Sequence, residues 1–81
     1  MKVRTEMEKT VDYYMSLPYT LIVRHLDDGS YYGEIKEFDG CMIGGDTWEE
    51  FGQNVELVKR MWIESLLEHG QIVPEPEPVH A

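Results

Sequence analysis

The sequence predicts an α+β domain: an antiparallel sheet of three to four strands with one long helix packed on it and a shorter helix ahead of it, in the order α-β-β-β-α-β. Three observations carry this expectation. A helical stripe lies between Thr47 and Gly70 with both ends written in the sequence, a strand-turn-strand pattern centres on Asp27-Asp28-Gly29-Ser30, and the apolar periodicity changes from helical to alternating after Pro18.

Residues 2–16 read as the first, shorter helix. Val3, Met7, Val11, Tyr14 and Met15 follow helical spacing, Thr5 to Glu8 offers a capping box, and Pro18 stops the run. Tyr19 to Leu26 is β-branched and aromatic, with Tyr19, Leu21, Val23 and His25 on one face and Thr20, Ile22, Arg24 and Leu26 on the other. Asp-Gly then signals a hairpin, because glycine accepts the positive φ a tight turn needs. The return strand runs from Tyr31 to Glu37, and Gly33 within it marks a bulge or a close approach of another backbone. Phe38-Asp39-Gly40 is a turn and Cys41-Met42-Ile43 a short third strand, after which Gly44 and Gly45 lead into the long helix.

That helix opens with Thr47 followed three residues later by Glu50, a pattern in which hydroxyl and carboxylate each satisfy an open backbone N–H. It closes at Gly70, with Pro74 beyond. Trp48, Phe51, Val55, Val58, Trp62 and Leu66 fall on one stripe that covers the sheet, widened by Met61 and Ile63; both tryptophans are expected in the core. Leu57 and Leu67 project toward the polar face. Gln71 to Val73 is a candidate fourth strand, and the proline-rich segment after it is expected to be extended. The organisation expected is an N-terminal helix at 1–17, an α+β domain at 18–73 and a tail at 74–81.

With 81 residues the chain holds one domain, burying about 60–65% of its unfolded surface, so self-association is a natural supplement to its stability. Sixteen acidic against seven basic side chains give a net charge of −9, which disfavours nucleic acid as a direct ligand and favours a basic protein. The sequence shows no apolar run of membrane-spanning length and no leader, so the cytoplasm is the expected location.

The candidates for chemistry are weak. Asp27, Asp28, Glu34, Glu37, Asp39 and Asp46 would serve a Mg²⁺-dependent nuclease only if they converged, and their spacing places them in turns and at a helix start. His25, His69, His80 and Cys41 lack the close pairing of a zinc site, and a lone Cys41 on a short strand reads as a small buried hydrophobe. Gly40, Gly44 and Gly45 precede acids and lack the lysine of a phosphate loop. No catalytic residue, metal or cofactor is expected.

Taken together, Tyr31-Tyr32-Gly33-Glu34-Ile35, then Phe38-Asp39-Gly40-Cys41, then Gly45-Asp46-Thr47-Trp48-Glu49-Glu50, a helix with Trp62 near its end and a Val73-Pro74-Glu75-Pro76 exit resemble the HicB family of bacterial antitoxins, in its short form. Gly40, Cys41, Gly45, Asp46, Thr47, Glu50, Trp62 and Pro74 are the positions that carry the likeness. The resemblance implies a partial RNase H-like fold without nuclease activity, self-association as a homodimer or homotetramer, and a small basic HicA-type toxin that cleaves mRNA as the partner. The chain departs from the family pattern at Lys36 and Asp39, where proline is frequent, and at Phe51, where alanine is. It shows no ribbon-helix-helix or helix-turn-helix segment, so operator binding is not expected of it. Asp27, Asp28, Glu34, Glu37 and Asp39 are the expected partner contacts, chosen for charge and hairpin position. The alternatives are a metal-dependent nuclease with an RNase H-like site and an oligomeric scaffold without a toxin.

Overall fold

The computed structural model describes residues 10–77. Thr10 caps a short helix α1 (Val11–Met15), its hydroxyl accepting from the Tyr13 N–H at 3.2 Å. The part of the expected first helix before Thr10, with its Thr5 capping box, lies outside the described residues. Strands β1 (Leu21–His25), β2 (Tyr31–Ile35) and β3 (Met42–Gly45) follow, then the long helix α2 (Trp48–Glu68).

The three strands form an antiparallel meander in the order β1-β2-β3. Its hairpin turns where Asp-Gly directs: the Leu26 N–H donates to Ser30 O at 2.8 Å, the Gly29 N–H to Leu26 O at 2.9 Å, and Gly29 takes a φ of 91°. A three-residue loop with glycine in the left-handed position matches the right-handed twist of the flanking strands. β3 runs further than expected. Gly44 and Gly45 pair with Tyr32 and Tyr31 and so belong to the strand instead of leading out of it.

Two glycines let α2 come down on this sheet. A Cβ on Gly45 would stand 2.6 Å from the Phe51 Cα and N, and one on Gly33 would meet the Phe51 ring at 2.9 Å and the Ile22 carbonyl at 2.6 Å. Phe51 therefore drops into a trough that no side chain could share, and it is 1% exposed. Around it the core gathers Ile35, Ile43, Phe38, Cys41 and Ile63, with Tyr14 from α1 and Val73 from the tail. Burying side chains of this size contributes about 1.5–3 kcal/mol each.

The α2 termini follow the sequence closely. Thr47 accepts from the Glu50 N–H at 3.1 Å, and the Glu50 carboxylate reaches back one residue beyond the cap, accepting from the Asp46 N–H at 2.6 Å. At the other end the Gly70 N–H donates to Leu67 O and the Gln71 N–H to Leu66 O, the paired closing bonds that a left-handed glycine permits.

The stripe on α2 needs two corrections. Trp48 is 57% exposed, because the first residue of the helix overhangs the end of β3 instead of lying over the sheet. Ile63, expected at the margin, is fully buried and Leu67 packs on the core, whereas Met61 is 57% exposed. The second half of α2 packs against α1 as well as the sheet, which rotates the covered arc toward positions 59, 63 and 67: the Lys59 ammonium reaches Met15 O at 3.4 Å, and Arg60 meets Asp12 at 3.3 Å.

No strand forms at 71–73. The Gln71 N–H is spent on closing α2, Pro74 has none to give, and Val73 enters the core while Ile72 faces outward. The tail is instead tied back by Tyr19, whose hydroxyl donates to Pro74 O at 2.6 Å. Burial pushes the Tyr19 phenol up to about 12, with the Glu75 carboxylate adding to the shift, so it remains a donor at all ordinary pH.

Candidate partner-binding surface

At the hairpin end of the sheet, carboxylates surround exposed aromatic rings. The Asp28 carboxylate accepts from the Ser30 hydroxyl at 2.6 Å and from its N–H at 2.9 Å, bonds that hold its carboxyl below the usual range and fix the tip. Tyr31 pairs with Gly45, so the hairpin tip and the start of α2 share this end. Asp27, Asp28, Asp46 and Glu49, all exposed, therefore group there. A row of rings crosses between them: His25 stacks on Tyr31 at 4.4 Å, Tyr31 meets Trp48 edge-on at 5.2 Å, and Trp48 stacks on Phe51 at 5.9 Å. An exposed indole held on a rigid aromatic base among acids has the chemistry to anchor an arginine or lysine from a basic protein.

The expected contact residues do not all lie here. Asp27 and Asp28 do. Glu37 and Asp39 stand at the opposite end, beyond β2, whose five residues span roughly 13 Å. Glu34 lies half-buried between them on the face away from α2, in register with Ile22 and Met42. Glu37 also ties two segments of the chain together, its carboxylate accepting from the Thr20 N–H at 3.0 Å and the Thr20 hydroxyl at 3.1 Å. Burial raises its pKa, but the bonds from Thr20 outweigh that and leave it lowered.

The positions that carry the family likeness join β3 to α2. Cys41 is 1% exposed, and burial pushes its thiol up against the opposing effect of the Ile35 hydrogen bond, so it is protonated and inert at neutral pH. Gly40, with a φ of 87°, lies beneath the Trp62 ring, which stacks on Phe38 at 6.2 Å and 16°. The outer side of Trp62 borders a shallow groove of about 370 Å³ with Val58, Met61, Ser65, Leu66 and Gln71. Among the described residues, no three His, Cys, Asp or Glu side chains come together as metal ligands; His80 lies outside them. None of the described helices is long and apolar enough to cross a membrane.

Trp48 is the surface residue that sequence reasoning missed. Its signal was its position directly after the Thr47 cap, where a side chain extends past the layer below instead of over it.

Residues 19–81 match the family described as HicB_like antitoxin of bacterial toxin-antitoxin system. Two UPF0150 proteins of Synechocystis are similar to this chain: one is 30% identical over 59 residues, covering 73% of this chain and 81% of the relative, and the other 36% identical over 59 residues, covering 73% and 75%. A UPF0150 protein of Thermoplasma acidophilum is 33% identical over 69 residues, covering 80% of this chain and all of the relative. No solved structure matches.

Proposed function

The chain belongs to the HicB-like antitoxin family of bacterial toxin-antitoxin systems, and from that premise we propose that it is a non-catalytic cytoplasmic antitoxin that neutralises a small basic HicA-type, mRNA-cleaving toxin by covering its working surface. The observation that carries this reading is the family match across residues 19–81. The net charge of −9 supports it, since a basic toxin is drawn to such a surface and RNA is not. Separation of the acids to opposite ends of β2 supports docking over hydrolysis, because a two-metal or water-activating site needs carboxylates within a few ångströms of one another.

In this reading Trp48, with Asp27, Asp28, Asp46 and Glu49 around it, supplies the anchor, and Glu34, Glu37 and Asp39 add long-range attraction. The chain acts as a homodimer or homotetramer. Co-expression with a small basic mRNA-cleaving toxin tests the reading: a complex that weakens with salt and protects RNA is expected. A toxin that stays active, with no complex formed, overturns it. RNA cleavage by the pure chain with Mg²⁺ or Mn²⁺, abolished by Asp→Asn substitutions, would replace it with the nuclease.

A further inference from the structure

α2 is apolar on more than the arc it lays on the sheet and α1. At about 100° per residue, Val58, Trp62 and Leu66 make one row along its second half, and Leu57, Met61, Glu64 and Glu68 a second row farther out. The groove of about 370 Å³ opens between them, bordered by α2 and Gln71. The fold leaves its outer wall uncovered: Met61 and Leu57 are 57% and 58% exposed, and Ile72, next to Gln71, is 89% exposed. Carboxylates stand around it. Glu64 and Glu68 continue the outer row, and the turn beneath Trp62, from Phe38 to Gly40, adds the exposed Asp39. The two bases of α2 point to the other flank, where Arg60 meets Asp12 at 3.3 Å and the Lys59 ammonium reaches Met15 O at 3.4 Å. His69 keeps its Nδ1 2.7 Å from Ser65 O.

We propose that this groove is a second docking site and takes an amphipathic helix of a basic protein, with apolar side chains in the groove and lysine or arginine against Glu64, Glu68 and Asp39. The proposal rests on the reading above for its basic partner and goes beyond it in place: from Trp48 to Met61, α2 rises roughly 20 Å.

Length, backbone chemistry and charge each select this occupant. Val58 to Leu66 spans roughly 12 Å, close to the roughly 10 Å between positions i and i+7 of a partner helix. A helix also suits the wall better than an extended peptide. The main chain of α2 is spent within the helix, and Ser65 and Gln71 are the polar residues at the groove, so a strand would lay unpaired N–H and C=O groups on apolar surface. A helix pairs its own. A second copy would bring an α2 with five glutamates and two bases already turned to α1, setting like charges together, whereas a basic helix meets acids.

The test uses the purified full chain and a synthetic helical peptide of leucine and lysine, about 18 residues long so that it holds a helix, with its leucines on one face. The control has the same composition, shuffled so that the leucines share no face. In chain labelled at the methionine methyls, the helical peptide is expected to shift the Met61 resonance and leave that of Met42, on the far face of the sheet, in place. By calorimetry the shuffled peptide should bind roughly tenfold more weakly or worse. The same loss is expected for the helical peptide on Leu57→Gln with Met61→Gln, two exposed changes that preserve charge, with circular dichroism confirming the fold. A silent Met61 resonance, equal binding of the shuffled peptide, or equal binding by the double variant overturns the groove and leaves the antitoxin reading to its own toxin test. A wild-type oligomer that falls apart on the double substitution also overturns it, because a second copy then holds the groove. Failure of the antitoxin reading looks different: the helical peptide binds at Met61 and no basic toxin does, which leaves the groove in place.

Discussion

β3 and β1 are both edge strands of one small sheet, yet one is sealed and the other is open. α2 lies along β3, Phe51 presses on Gly45, and the Asn54 amide donates to Gly44 O at 2.7 Å, occupying a carbonyl on the outer edge. Among the described residues nothing does the same for the outward main-chain groups of Leu21, Val23 and His25 on β1. The contrast teaches that one helix, 21 residues long, shields only the two strands it runs across, so the third is left to solvent or to another molecule. A chain this small keeps its apolar layer dry on one side and offers the remainder for association.

The largest effect expected is on the sealed side. Phe51→Ala removes the side chain seated between Gly33 and Gly45 and leaves a cavity that the glycines cannot fill, at a cost of about 3–5 kcal/mol. For a domain of this length that approaches its whole stability of roughly 4–12 kcal/mol, so urea titration should find the variant unfolded or nearly so. Retention of a wild-type midpoint would mean that α2 does not hold β3 in this way.

Asn54→Ala is gentler. Freeing the Gly44 carbonyl to water should cost about 0.5–1.5 kcal/mol in thermal denaturation, with no gain in self-association because α2 still overhangs that edge. New oligomers in this variant would show that the Asn54 amide alone keeps the two edges different.

The smallest effect concerns the start of β1, where the Glu37 carboxylate ties Thr20 on the side that faces β2. The folded pKa of Glu37 is below the usual glutamate value of 4.5, so its bonds to Thr20 stabilise the fold above that pH and are lost as pH falls through the lowered folded value. Glu37→Gln should lower stability at neutral pH by about 0.5–1 kcal/mol and flatten the acid limb below about pH 4.5. An unchanged acid limb would mean that Glu37 does not hold Thr20 in this way.

Much of the architecture was legible in the residues. Thr47, Glu50 and Gly70 marked the long helix to within a residue at each end, and Asp27 to Ser30 marked the hairpin, because caps and tight turns depend on local chemistry. The face assignments of β1 and β2 held for the same reason, since a pleat alternates whatever lies above it. Trp48 was misjudged because helical spacing gives the direction of a side chain but not where the sheet beneath it ends. Gln71 to Val73 looked like a strand by composition, yet the closing turn of α2 had a prior use for the Gln71 N–H. The division of the acids between two ends of β2, and the bareness of β1, depend on the path of α2 over the sheet, which no spacing rule contains.

Amide hydrogen exchange at Val23 tests the difference between the edges most directly, because that N–H points away from β2 and gains a partner only from another molecule. Val23 and His25 are expected to exchange fast while Ile22 and Arg24, bonded to β2, stay protected. Protection at Val23 equal to that at Ile22 would contradict an edge that α2 leaves open.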